Sequence, residues 1–353
     1  MHRLGIKRPG WFAGLTVAIV LGAAPGASGT ERAVVSHQLT QSAADVRAYW
    51  TPERMREAIP LDGPAAGRVA PGDALARAAA EAPDQEIDPS LDVTYPYRIH
   101  GRLFLRFGAS NASCSGTVVT SRSRDLILTA GHCVAEPVGL GASLFATNVI
   151  FVPGYRSGSA PLGSYVGTRG GTPGQWAALG DVSFDVGVIK LAPLNGGLIQ
   201  DQLGSRGIGF NRIPGGFKKK HFQLFGYPAA PAGVYDGERP ILCDSQFRGF
   251  EHFSGSLLVS PCHQQEGASG GGWVMGGGLV ASITSHSGCG NPGPACDVIA
   301  GSYLGDSSLH VYSKLGGGLE KGKRRQIKGC KRFEGKKHDQ CLSRAETFRP
   351  VAR

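Results

Sequence analysis

From about Tyr97 onward, turn clusters rich in glycine cut the chain into short apolar runs. The first half carries Arg102–Phe107, Gly116–Thr120, Leu126–Thr129, Val149–Val152 and Val186–Leu191. The second carries Phe222–Phe225, Leu257–Ser260, Gly272–Met275, Leu279–Ser285 and Leu309–Tyr312. Many short strands separated by turn clusters indicate a sandwich or barrel. With a change-over near residue 205, the pattern predicts an all-β protein of two barrels side by side. The 54 glycines and 22 prolines among 353 residues stay below the level of a disordered chain, so the turns belong to a folded body.

What precedes this body is different in texture. Arg3, Lys7 and Arg8, the apolar run Trp11–Ala24 and the small residues Ala27-Ser28-Gly29 form a signal peptide over 1–29. The apolar run is shorter than the ~20 residues of a membrane span, so the expected location is secreted or periplasmic. Residues 30–97 lack cysteine, and Asp45–Ala58 and Asp73–Ala82 read as helical, with Thr51 as N-cap and Pro52 in the first turn. This section reads as a propeptide or leader, or as a helical subdomain kept in the mature protein.

Export sets the meaning of eight cysteines. An oxidising compartment favours disulfides. No Cys-x-x-Cys pair occurs, and Cys262-His263 has no partner at zinc-site spacing, so no metal and no cofactor are expected. The net charge of +10 sits mostly in the tail: residues 314–353 hold 13 Lys/Arg against 4 Asp/Glu. A nearly neutral body argues against nucleic-acid binding. The basic extension 316–353 could hold an anionic polymer or surface; its plainer reading is a solvated tail.

Three stretches carry chemistry. In Gly267-Ala268-Ser269-Gly270-Gly271, a serine sits on a backbone free to turn sharply, with the N–H groups of Gly267 and Ser269 able to converge on one oxyanion. Leu128-Thr129-Ala130-Gly131-His132-Cys133 ends a strand with an imidazole beside a cysteine, and Cys114 on the neighbouring strand is the natural disulfide partner of Cys133. Asp185 leads directly into the apolar strand Val186–Leu191. Burying its carboxylate requires a partner, and His132 can be that partner. Asp181 competes for the role but sits in the preceding loop.

Together, and in this order, the three motifs resemble the chymotrypsin/trypsin-like serine proteases, and within them the bacterial secreted branch that includes glutamyl-specific enzymes. Cys114-Ser115-Gly116-Thr117-Val118-Val119 resembles the strand before the histidine strand of that family, and His310-Val311-Tyr312-Ser313-Lys314 its last core strand. The resemblance covers 98–315. It implies two six-stranded antiparallel β-barrels, about 98–205 and 206–315, with a catalytic cleft between them. It also implies a Ser-His-Asp triad of Ser269 as nucleophile, His132 as base and Asp185 as its orienter, with Gly267 and Ser269 as oxyanion hole. A protein or peptide would be the substrate, and a monomer the working form.

The chain departs from the family at informative places. Ala268 replaces the aspartate that captures a new N-terminus in trypsin, so a leader would act by blocking the cleft or assisting folding. Gln265 stands where a cysteine is usual, which leaves Cys243 and Cys262 to pair with each other. Cys289 with Cys296 and Cys330 with Cys341 would close further loops. At the floor of the specificity pocket the resemblance places His263, beside a wall containing Thr284, Ser285 and His286. These imply a preference for acidic residues before the cut bond. The rival functions are an inert protease homologue acting as a binding module and an anionic-surface binder acting through the tail.

Overall fold

The computed structural model describes residues 33–62, 84–139, 142–212, 221–251, 255–276, 278–287 and 297–318. The expected signal peptide 1–29, the tail beyond 318, the predicted helix Asp73–Ala82 and Cys289, Cys296, Cys330 and Cys341 lie outside them.

The chain begins with strand β1 (Val34–Gln38), helices α1 (Ala43–Tyr49) and α2 (Pro52–Arg56), and strands β2 (Ile59–Pro60) and β3 (Asp84–Glu86). Where the sequence predicts helix across Asp45–Ala58, two short helices form, because Thr51 caps the second. Its hydroxyl accepts from the Arg54 N–H at 3.3 Å, and Pro52 opens the first turn.

The first barrel follows as β4 (His100–Phe107), β5 (Ser110–Val119), β6 (Leu126–Thr129), the hairpin β7 (Ala135–Gly139) and β8 (Ala142–Phe145), then β9 (Thr147–Pro153), β10 (Tyr165–Pro173), helix α3 (Gly174–Leu179) and β11 (Gly187–Leu191). Hydrogen bonding closes six of these strands into a ring in the order β10-β11-β6-β5-β4-β9, with β9 returning to β10. After α4 (Ile199–Leu203) and β12 (Gly207–Ile208) comes the second barrel: β13 (His221–Gly226), β14 (Ile241–Phe250), β15 (Leu257–Ser260), β16 (Gly272–Met275), β17 (Leu279–Ser287) and β18 (Ile299–Tyr303). Its ring is β17-β16-β13-β14-β15-β18, with β18 returning to β17. The protein is therefore two six-stranded antiparallel barrels, as the motifs imply. Closure removes the exposed edges that open sheets must protect.

The helix α5 (Asp306–Leu315) corrects one expectation, since Leu309–Tyr312 reads as a strand in the sequence. Ser308, Val311, Tyr312 and Leu315 are buried at three- and four-residue spacing, Asp306 stands in the first turn and Lys314 in the last. That is the pattern of an amphipathic helix; the last barrel strand is β18. Strand β10 carries no apolar run at all. Its glycines are required by close approach: a Cβ on Gly167 would lie 2.9 Å from a Leu39 methyl, and one on Gly171 2.8 Å from a Leu315 methyl.

The section expected as a leader or an N-terminal subdomain adds strands to both barrels. β1 pairs antiparallel with β10, β2 parallel with β5, and β3 antiparallel with β14. Val46, Trp50 and Met55 bury themselves against Phe104, Ile150 and Tyr155 of the first barrel. Arg156 grips the second half of the leader, donating to the Asp92 carboxylate at 2.6 Å and to the Ile87 carbonyl at 2.5 Å. Trp50→Ala should therefore lower the unfolding free energy by about 3–5 kcal/mol in denaturant titration. An unchanged midpoint would mean that the leader adds nothing to the barrel.

Candidate active site

The site is assembled where the two barrels meet. The end of β6 runs into the turn Ala130-Gly131-His132-Cys133, and a disulfide between Cys114 of β5 and Cys133 fixes that turn to its neighbour. Space is short here: a Cβ on Gly131 would lie 2.8 Å from the Trp176 ring and 2.9 Å from the Asp185 carboxylate. Asp185 stands just before β11, with none of its surface exposed. Its Oδ1 accepts the His132 backbone N–H at 2.8 Å, and its Oδ2 lies 2.9 Å from His132 Nδ1. A third donor crosses from the second barrel: Ser285 Oγ on β17 donates to Oδ2 at 2.6 Å. Asp181, the competing carboxylate, instead caps a short turn by accepting the Ser183 N–H.

Burial and pairing act in opposite directions on both groups. Burial alone would lower the His132 imidazole, but the Asp185 charge and hydrogen bond, helped by Asp62 and Glu136, hold it above the usual 6.5. Burial alone would raise the Asp185 carboxyl, but the His132 charge and the bonds from His132 and Ser285 hold it below the ordinary carboxylate value.

Ser269 arrives from the second barrel on the turn before β16. Its carbonyl accepts the Ser115 N–H at 2.7 Å and lies 3.9 Å from Cys133 Sγ, which sets the serine turn against the turn bearing His132. Gly267 takes φ +89°, and a Cβ there would sit 2.5 Å from the Tyr227 carbonyl, so this position admits only glycine without strain. Ser115 was read from the sequence only as part of a strand, yet it connects the barrels. Its hydroxyl accepts the Tyr227 N–H at 2.9 Å and donates to the Gly267 carbonyl at 2.8 Å. A hydroxyl inside a β run gives no such signal in sequence.

Among the described residues, His132 Nε2 and Ser269 Oγ are buried with no hydrogen-bond partner. An unsatisfied buried polar atom costs about 1–3 kcal/mol, and such atoms in a stable fold call for an explanation in chemistry.

The specificity candidates divide. Thr284 accepts the Trp273 indole N–H at 2.9 Å and Ser285 belongs to Asp185, so neither hydroxyl is open to a ligand through that bond. His286 is buried between Ser285 Oγ at 3.0 Å and the Glu251 carboxylate at 3.3 Å. Glu251 has no motif in the sequence. His263 keeps an unpartnered Nδ1, while its backbone N–H donates to Asp84 of the leader at 3.1 Å.

Cys243 and Cys262, expected as a disulfide, lie side by side but unbonded. Asp84, Cys243 and Cys262 bring three possible metal-ligand atoms within 4.8 Å of one another, as do Cys114, His132 and Cys133, whose sulfurs are spent on the disulfide. Burial pushes the Cys262 thiol up to about 11, which keeps it protonated at neutral pH.

If His132 acts as a base it must be neutral. Because its proton is held to higher pH than an ordinary histidine, the acid limb of any activity should have its midpoint above 6.5. Asp185→Asn should move the imidazole titration down, as NMR of the His132 ring would read. An acid limb below 6.5 would contradict the pairing.

No protein-family model matches the chain. Among curated proteins it is similar to the "Extracellular metalloprotease" of Bacillus subtilis (strain 168), 30% identical over 111 residues. That likeness covers 31% of this chain and spans about a third (33%) of the relative's length. Among solved structures, the protease Anisep from Arthrobacter nicotinovorans matches 67% of this chain and 100% of its own, at 29% identity and a TM-score of 0.56. The thermostable serine protease AL20 from an extremophilic microorganism matches 62% and 97%, at 27% identity and 0.55. A Glu endopeptidase in complex with MPD shares the fold over 70% of this chain and 98% of its own, at 18% identity and 0.51. Its two closed barrels and these likenesses show that the chain has the chymotrypsin-like serine protease fold, similar to that of bacterial proteases.

Proposed function

We propose that the protein is an exported serine endopeptidase using Ser269, His132 and Asp185 as its triad. What supports this reading is an imidazole oriented by a buried carboxylate, on a turn whose Cys133 Sγ lies 3.9 Å from the Ser269 carbonyl, with His132 Nε2 and Ser269 Oγ both buried and without a partner among the described residues. Serine is a weak nucleophile near neutral pH and needs an adjacent base. Ser269 Oγ would attack the peptide carbonyl as its proton passes to His132 Nε2, with Asp185 stabilising the imidazolium. The N–H groups of Gly267 and Ser269 would receive the oxyanion, each worth about 3 kcal/mol in such sites. Collapse breaks the C–N bond, the proton goes to the leaving amine, and water repeats the sequence to release the acyl group.

A preference for acidic residues before the cut bond rests on His263, whose Nδ1 has no partner; His286 is committed to Glu251. The signal peptide carries the chain to an oxidising compartment, where Cys243 and Cys262 would join. Residues 30–97 act as the leader of a zymogen, and the tail 316–353 as a basic extension able to hold an anionic surface.

A fluorophosphonate probe should label the mature protein, and Ser269→Ala and His132→Ala should each abolish labelling. A folded mature protein that never labels would favour the inert binding homologue. A chelator should leave turnover unchanged, which also separates this chain from what the name of its Bacillus relative says of that protein. Peptide-library profiling should give strongest cutting after Glu or Asp; strongest cutting after Arg would overturn the acidic preference.

A further inference from the structure

The leader does more than pack on the barrels. Residues Ile59–Asp62 run alongside the site just described. β5 is paired with β4 over Ser110–Thr117, but with β6 only from Thr117 onward, so Ala112 and Ser113 offer a second, unused edge. β2 adds to that edge in parallel, with Ile59 opposite Ala112 and Pro60 opposite Ser113. The next residue completes the contact: the Leu61 N–H donates to the Ser113 carbonyl at 2.9 Å. The Leu61 carbonyl then accepts the Gly267 N–H at 2.8 Å. Pro60 fits against the backbone of the same glycine, whose Cβ, if it had one, would lie 3.3 Å from the proline ring.

Resting on the protease reading, we propose that Ile59–Asp62 is a tethered competing ligand, held by β-addition to the Ala112–Ser113 edge with the Leu61 carbonyl on the oxyanion donor of Gly267. An extended peptide that brings its own carbonyl to Gly267 meets the same N–H and the same strand edge, so the two cannot bind together. The cover is tight. Ser269 has 0% and His132 5% of its surface exposed, and Leu61 packs against the main hydrophobic core. Asp62 supplies a second effect, because its carboxylate favours the protonated form of His132, the form that cannot accept the serine proton. The tether is anchored through Trp50 and Met55, which bury themselves against the first barrel, so cutting the chain beyond residue 62 would not by itself free the site. Activation requires this segment to be peeled from β5.

The test compares the rate at which a fluorophosphonate labels Ser269 in the full-length protein and in Leu61→Pro, which removes the donated N–H. Leu61→Gly, which loosens the segment without removing a donor, is the second variant, and thermal unfolding checks that each remains folded. Both variants should label at least about tenfold faster, within the roughly 10²–10³-fold that one oxyanion donor is worth. Full-length protein labelling as fast as both variants would overturn the proposal while leaving the enzyme intact. Labelling absent from the full-length, variant and mature proteins alike would remove the protease reading, and this proposal with it. An N-terminus at Asp62 in wild-type protein, absent in Ser269→Ala, would make the segment a substrate and likewise overturn it.

Discussion

A carboxylate with no exposed surface is the constraint around which this molecule is arranged. An isolated buried charge is strongly unfavourable, and Asp185 is tolerable only because three donors reach it. Two come from His132 in the first barrel and one from Ser285 in the second. The interaction that orients the imidazole is therefore also one that holds the barrels in register. Stability and the chemistry proposed for the site depend on the same oxygen atoms, and a change in barrel packing would be felt at the imidazole.

Ser115 does comparable work on the other side. With a backbone N–H, a carbonyl and a hydroxyl, it reaches Ser269, Thr129, Gly267 and Tyr227. The serine turn is thereby fixed from the first barrel, although it is built from the second. Rigid support of this kind is what a reacting constellation needs, since small misplacements cost large factors in rate.

The sequence made much of this legible, for reasons that can be named. Leu126–Thr129, Leu257–Ser260 and Gly272–Met275 are strands as read, because their apolar runs are bounded by turn residues. The Asp185 pairing followed from the cost of burying a charge. Strand β10 was invisible because its glycines answer to neighbours distant in sequence, Leu39 and Leu315, and not to any local propensity. Leu309–Tyr312 misled because a short apolar run does not distinguish strand from helix, and only the burial of Ser308 and Leu315 shows the longer period. Neither Glu251 beside His286 nor Leu61 beside Gly267 could be seen, since each is a contact between segments far apart in the chain.

Strand β10 also receives both ends of the described chain. β1 lies along one side of it, and α5, the last element of the second half, packs on it through Leu315 while Lys314 donates to the Val34 carbonyl at 3.2 Å. The first barrel is thus covered by a helix that begins 115 residues beyond its last strand, so it cannot be completed as an independent unit before the second half of the chain is present. Non-local closure of this sort is slow, so the two barrels should mature together.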